Sequence, residues 1–351
     1  MSENRSGAVG KPPTMADVAR HLGISRQLVS IVMRDAPGAS EETRTRVREA
    51  ARELGFAPHT GARTLRQTRS WTLGVLFVPA HAAEHEIVEA IYPLAAKHGY
   101  DVVLSALTDT RGLEASVEEL VGHRCAALLL IGAPLEEGLM ARLVDRVLVP
   151  VVSVGSGARN GDYDVIRSAG DEGMRAAVEH LVSLGHEEIA FVTLDSMPDG
   201  PLRRRGYESA VRDLGREVDL VTVPGDYRDD DYFEEAGAAA GLALLERPRL
   251  PTAVLVPNDS AAIGLLLTLA RNGVRVPQDV SLVGFDDNPM SRLSAIDLTT
   301  SRQDPEMLAR AAVDVAVRRI EAEPGTVRRT GELVVPTTFI ARSSSAEPRR
   351  G

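Results

Sequence analysis

Apolar side chains recur every three or four positions in three short stretches between residues 14 and 55, with polar turns between them. In "TMADVARHLGI" the spacing of Val18, Ala19 and Leu22 predicts a helix. Thr14 suits its N-cap, Asp17 can complete a capping-box-like start, and Gly23 can close it in a left-handed conformation. Ser25 caps a second helix two residues later. A third begins at Ser40, places Glu41 and Glu42 at its positive end, and carries Val47, Ala50, Ala51 and Leu54 as its apolar stripe until Gly55 stops it. Two short helices joined by a tight glycine-containing turn make a helix-turn-helix, and the third completes an all-α module ending near Pro58.

From Trp71 onward the pattern changes. Short apolar runs such as "LGVLFV", "YDVVLSA", "AALLLIG" and "VPVVSVG" read as buried strands, separated by the amphipathic stretches "EHEIVEAIYPLAAKHG", "GLEASVEELVGH" and "EEGLMARLVDRV". A second alternating set runs from "GDEGMRAAVEHLVSLGH" to "VSLVGF". Strand–helix alternation means parallel sheets covered on both faces. Two successive sets predict an α/β core of two doubly wound parallel-sheet subdomains, with ligand held beyond the carboxyl ends of the strands.

The second short helix carries candidate chemistry. On a wheel of about 100° per residue, Arg26, Ser30, Arg34 and Gln27 occupy one arc, and Leu28, Val29, Val32 and Met33 the other. Arg and Gln have the donor geometry for guanine and adenine edges in a major groove, and Ser suits bases or phosphates. Ser25 and Arg26 sit at the helix start, where recognition helices touch bases. The same wheel also fits the wetted face of an ordinary three-helix bundle. Charge separates the two readings further. Residues 1–70 hold one lysine and eleven arginines against seven acids, a net of +5 in a chain whose total is −10. A basic head on an acidic body is the asymmetry of a module that meets nucleic acid.

The remaining composition narrows the field. Hydrophobic residues make up 44% of the 351-residue chain and charged residues 26%, values of a globular protein. No apolar run approaches a membrane span, and "MSENRSGAVGKPP" lacks the apolar centre of a secretory signal, so the protein is expected in the cytoplasm, with no membrane partner. The single cysteine, Cys125, reads as a buried thiol. The eight histidines show no metal-ligand spacing, and no metal or cofactor is expected. An enzyme is not expected either. "SVGSGARNGD" superficially resembles the glycine loop of an oxidoreductase, but its G-x-G-x-x-x-G spacing is wrong and the acidic residue about 20 positions on is missing. Neither G-x-S-x-G nor H-E-x-x-H occurs. A cytoplasmic small-molecule-binding protein of related α/β fold remains the alternative.

"TMADVARHLGISRQLVS", "SEETRTRVREAARELGF" and "PHTGARTLR" resemble the N-terminal module of the LacI/GalR family of bacterial transcription repressors. The likeness continues in order through "HLVSLGHEEIAFV", "RRRGY", "TAVLVPNDSAAIGLL", "VPQDVSLVGFDD", "LTTSRQD" and "FIARSS", covering about residues 14–344. It implies a periplasmic-binding-protein-like core and a sequence-specific regulator whose hold on double-stranded operator DNA is set by a small carbohydrate-like effector. DNA contacts carried over by the resemblance fall at Thr14, Ser25, Arg26, Gln27, Ser30, Ile31, Arg34, His59, Ala62 and Leu65, the last matching a leucine that wedges a minor-groove base step. Effector contacts fall at Arg203, Tyr227, Asn258, Asp286 and Gln303. Three departures stand out: Ile31 occupies a position where a base-reading arginine is common, Arg34 replaces the usual asparagine, and Gly61 weakens the hinge helix by ~1 kcal/mol. Galactoside binders carry polar residues where this chain has Gly132 and Gly155, which argues against a plain galactoside, while His81 and His85, in the loop after the first strand, suit either contact with an anionic or hydroxylated effector or an ordinary surface loop.

The resemblance divides the chain into a disordered start at 1–13, the head at 14–58, a hinge at 59–70, the core at 71–344 and a disordered tail at 345–351. The first subdomain takes about 71–168 and 304–331, the second about 169–287 and 333–344, with crossovers near 166–170, 287–304 and 330–333. Without leucine heptads in the tail, the assembly expected is a homodimer.

Overall fold

The computed structural model describes residues 13–33, 37–56, 70–79, 81–108, 110–133, 137–155, 163–194, 197–223, 233–323 and 330–349. The chain falls into two compact units, Met1–Arg69 and Ser70–Gly351.

The first unit holds α1 (Met15–Leu22), α2 (Arg26–Met33) and α3 (Glu41–Glu53). Asp17 reaches back to accept the Thr14 N–H at 2.9 Å, Gly23 ends α1 at φ 63°, and Ser25 Oγ accepts the Leu28 N–H at 3.1 Å to start α2. Side-chain oxygens thus satisfy some of the backbone amides that helix starts leave without an intrahelical partner. Val18, Ala19, Val29, Val32, Val47, Ala50, Ala51 and Phe56 bury one small shared core.

The second unit contains two six-stranded sheets. β1 (Thr72–Phe77), α4 (Ala82–Lys97), β2 (Asp101–Ala106), α5 (Leu113–Gly122), β3 (Ala127–Ile131), α6 (Glu137–Arg146), β4 (Val151–Val154) and β5 (Asp164–Ser168) build most of the first. The second follows with α7 (Gly170–Ser183), β6 (Ile189–Thr193), α8 (Gly200–Asp213), β7 (Asp219–Thr222), α9 (Phe233–Leu245), β8 (Ala253–Leu255), α10 (Asp259–Arg271), β9 (Ser281–Asp286) and β10 (Thr299–Arg302). The chain then returns for α11 (Pro305–Glu321) and β11 (Glu332–Val335), and ends with β12 (Thr338–Ile340). Strand orders are β11-β5-β4-β3-β1-β2 and β12-β10-β9-β8-β6-β7. All pairings are parallel except β10 with β12. Alternation along each strand divides the cores: Leu73, Val75, Leu129 and Ile131 face α4 and α11, whereas Leu76, Leu128 and Leu130 face α5 and α6. Sheet two is clothed likewise, by α9 and α10 on one face and α7 and α8 on the other.

Two boundaries differ from expectation. β11 pairs with β5 in the first sheet, so residues 333–335 belong to the first subdomain and the third crossover comes after Val335. Pro336, which has no N–H to give a ladder, ends that strand. The tail beyond 344 is also not loose in its described part. His180 Nε2 lies 3.0 Å from Ser345 Oγ, Ser281 Oγ donates to the Ala346 carbonyl at 3.1 Å, and Arg349 pairs with Asp279 at 2.9 Å. Polar groups of the second subdomain thus take Ser345, Ala346 and Arg349 as their partners.

Candidate functional site

On the head, Thr14, Ser25, Arg26 and Gln27 are exposed, while Ser30 and Ile31 are half-buried. Val29 and Val32 turn the opposite side of α2 into the core, so packing itself leaves the polar arc outward. Arg34, His59, Ala62 and Leu65 lie outside the described residues, as does the hinge segment 59–69.

In the core, the carboxyl ends of strands from both sheets converge on one cavity of about 100 Å³. The first sheet contributes Gly132 and Gly155, each just past a strand end, and Ser168, the last residue of β5; the second contributes Asn258, Asp286 and Gln303. Arg203, on the first turn of α8, is 3% exposed and projects among them. Its Nη1 lies 3.2 Å from Asp286 Oδ1 and also donates to the Pro257 carbonyl, and its Nη2 is 3.6 Å from Asp199. The guanidinium carbon rests 3.9 Å from the Phe285 ring centroid. Held by acceptors and a π face, that cation is fixed in one orientation. Its Nε is buried without a partner among the described residues.

Asp286 is the hub of this wall. Gln303 Nε2 donates to its Oδ1 at 2.6 Å, and its backbone adopts φ 120°, followed by Asp287 at φ 58°. Successive left-handed conformations at non-glycine residues store strain, and such strain gathers at functional positions. Burial pushes the Asp286 carboxyl above its ordinary range, with Arg203 and Gln303 pulling against that shift. Asp259, behind it, is raised by burial and by the Asp286 charge. Its oxygens accept from the Thr300 hydroxyl at 2.7 Å and the Asn288 N–H at 2.9 Å, which makes it a structural strut. Asp287 holds Arg292 at 3.1 Å and Arg342 at 2.5 Å. Asn258 lines the cavity, but its Oδ1 caps α10 through the Ala261 N–H at 2.7 Å, leaving only its amide nitrogen, 3.2 Å from Met197 Sδ, to turn toward other partners.

The two histidines separate. His81 lines the cavity, stacks on Phe233 at 5.1 Å, and places Nδ1 2.6 Å from Glu84 Oε1. His85 takes the surface alternative: it does not line the cavity, and its Nε2 meets the Pro79 carbonyl at 3.0 Å on the exposed side of α4. Tyr227 lies outside the described residues. The structure therefore brings together Arg203, Asn258, Asp286 and Gln303, and adds Glu84, Asp199, Asn288 and Phe233, which sequence reasoning did not select. Asp199 had a signal in "PDGP" before a helix, which reads as a cap; its side chain makes no cap bond and points to Arg203 instead. Among the described residues no cluster could hold a metal ion, and no helix is long and apolar enough to cross a membrane.

A helix-turn-helix unit joined in one chain to two such sheets around a ligand-sized cavity defines a DNA-binding regulator with a sensory core. Residues 14–59 match the family described as bacterial regulatory proteins, lacI family, and residues 178–345 match the periplasmic binding protein-like domain. The chain belongs to the lacI family. It is 31% identical over 312 residues to the ribose operon repressor of Escherichia coli (strain K12), spanning 88% of this chain and 93% of that protein. The lactose operon repressor of the same strain is 32% identical over 346 residues, 96% of this chain and 92% of that one. The crystal structure of the lac repressor dimer bound to operator and the anti-inducer ONPF superposes with a TM-score of 0.77 at 29% identity, covering 96% of this chain and 100% of that one.

Proposed function

We propose that this protein is a dimeric transcriptional repressor whose operator affinity is set by a small carbohydrate-like effector bound in the cavity. Two heads read the half-sites of a roughly palindromic operator, with the start of α2 in the major groove. Arg26 and Gln27 serve as base readers, Ser25 and Thr14 as phosphate ligands, and Ser30 and Ile31 face the groove floor; Arg34, His59, Ala62 and Leu65 complete the DNA contacts. Effector lies against Arg203, Asp286 and Gln303, with Asn258 and Tyr227 at its edges. Because the cavity is walled by both sheets, an occupant biases how the two subdomains close, and closure is transmitted to the hinge that precedes β1. Such coupling is typically about 1–3 kcal/mol and is reciprocal between the two ligands.

The observation that carries this reading is the convergence of Arg203, Asp286 and Gln303 at strand ends in a chain that also bears a capped helix-turn-helix. Anisotropy titrations of labelled promoter fragments against random duplex at low ionic strength test it. Selective binding that changes with a stabilising sugar is expected, and removal of residues 1–70 should abolish duplex binding while sparing sugar binding. Equal affinity for every duplex, with and without sugars, would overturn the assignment.

A further inference from the structure

The first-sheet wall of the cavity carries a carboxylate of its own. Glu84, in the first turn of α4, folds over the end of β3 so closely that a Cβ on Gly132 would overlap its carboxyl group. Glycine there is what admits the carboxylate, and Gly155 on the next strand keeps the adjoining wall equally bare. Glu84 Oε2 accepts the Val78 N–H at 3.1 Å, Oε1 sits 2.6 Å from His81 Nδ1, and the side chain is 10% exposed. Positions that lack polar side chains of their own have in effect been supplied with one from the first turn of α4.

Across the cavity stand Asp199 and Asp286, with Arg203 between them. The described ionisable groups that line the space are thus three carboxylates, one guanidinium and one imidazole. With all three carboxyls ionised, that balance is negative whether or not His81 is protonated. Arg203 is committed to the two carboxylates on its own side, so among the described residues that line the cavity only the His81 imidazole pairs with Glu84. A half-enclosed negative site repels anions and rewards a guest that brings positive charge, because a desolvated carboxylate is costly until it is paired. Burial pushes the Glu84 carboxyl up while His81 and the Val78 N–H pull against that shift, and a bound ammonium would favour its ionised form further.

We propose that the effector is a polyhydroxylated ring bearing a protonated amino group, that Glu84 is the specificity-determining residue that receives the amine, and that phosphorylated and acidic sugars are excluded. The inference rests on the cavity being the effector site. Hydroxyls of the ring meet Gln303, Asn258 and Ser168, and the amine lies toward Glu84 and His81.

The test is thermal unfolding of the full-length protein with matched sets: the 2-amino-2-deoxyhexoses of gluco, galacto and manno configuration, the parent hexoses, their 6-phosphates and their uronic acids. An amino sugar should raise the Tm, its parent less, and the phosphate and acid not at all. In Glu84→Gln the amine should bind about tenfold more weakly while the parent hexose changes little. A panel in which no amine raises the Tm, or in which a neutral or anionic member raises it most, overturns the inference without recourse to the variant, as does equal amine affinity in Glu84→Gln. Operator selectivity of the unliganded wild-type protein is measured beside it: its loss refutes the proposed function, whereas its persistence with a failed panel refutes only the amine.

Discussion

Glu86 on α4 and Arg292 in the segment between β9 and β10 meet in a two-pronged ion pair, with both nitrogen–oxygen distances at 2.9 Å. One partner rides on the first subdomain and the other on the second. Arg292 also donates through Nε to Asp287, the residue next to the cavity hub Asp286. The pair is therefore a clasp beside the cleft, tied to the backbone that presents Asp286. Being about a third exposed on either side, it is worth about 0.5–1 kcal/mol and is weakened by salt. Arg292→Ala should loosen closure and weaken effector affinity about two- to fivefold. Calorimetric titration at two salt concentrations checks this; equal affinity in variant and wild type at low salt would show that the clasp does not bias closure.

Base reading is placed on Arg26. Its replacement by alanine should cost about 1–3 kcal/mol on the preferred operator and relax the choice at one base pair per half-site. Selection from a randomised duplex pool is the measurement. An unchanged consensus would remove Arg26 from base recognition.

Asp286 offers a linked pair of expectations. Asp286→Asn keeps an oxygen for Gln303 but removes the charge facing Arg203, so the ratio of operator affinities with and without effector should collapse toward one. Stability shifts as well, with a definite sign. The carboxyl is raised in the folded state, so the folded chain holds its proton at pH values where the unfolded chain has released it. Its contribution is thus most favourable below the ordinary carboxylate range and declines as pH rises through the raised value. The asparagine variant should flatten the fall in Tm between about pH 4 and about pH 8. Parallel Tm–pH curves for the two proteins would contradict the burial argument.

Gly132 and Glu84 should behave as one unit. Gly132 sits at φ 58° with the Glu84 carboxyl where a side chain would be. Gly132→Ala is expected to cost about 1–3 kcal/mol, from overpacking and left-handed strain together. In a Glu84→Ala background the overpacking part should vanish, giving a coupling of about 1 kcal/mol in a double-mutant cycle. Additive denaturant midpoints would mean that the two residues do not share that space.

Most of the architecture is legible in the sequence because period 3.6 and continuous apolar runs leave separate traces. The capped head and, among the described residues, eight of the twelve strands lie in such runs. β5 does not, since Asp164 and Arg167 interrupt it to bind Arg319 and Glu332. α11 carries a full signature, with Asp304 capping through the Met307 N–H, Pro305 at its start and Leu308, Ala312 and Ala316 buried, yet it stands outside the strand–helix alternation that the reading followed. The cavity residues Arg203, Asp286 and Gln303 followed from motif order. Glu84 was invisible for a physical reason: an acid in the first turn of a helix reads as a partner of the helix dipole. Only the fold brings the glycine at the end of β3 beneath it.

The three passages of the chain between the sheets have an evolutionary corollary. The core's halves are each discontinuous in the gene, so grafting one lobe from a relative requires several exchanges, and every junction must match at once. The head is a single uninterrupted stretch. Recombination at one junction can therefore re-pair a whole head with a whole core in one step, whereas exchange of a single lobe cannot, and chimaeras joined just before Thr72 are the ones expected to fold.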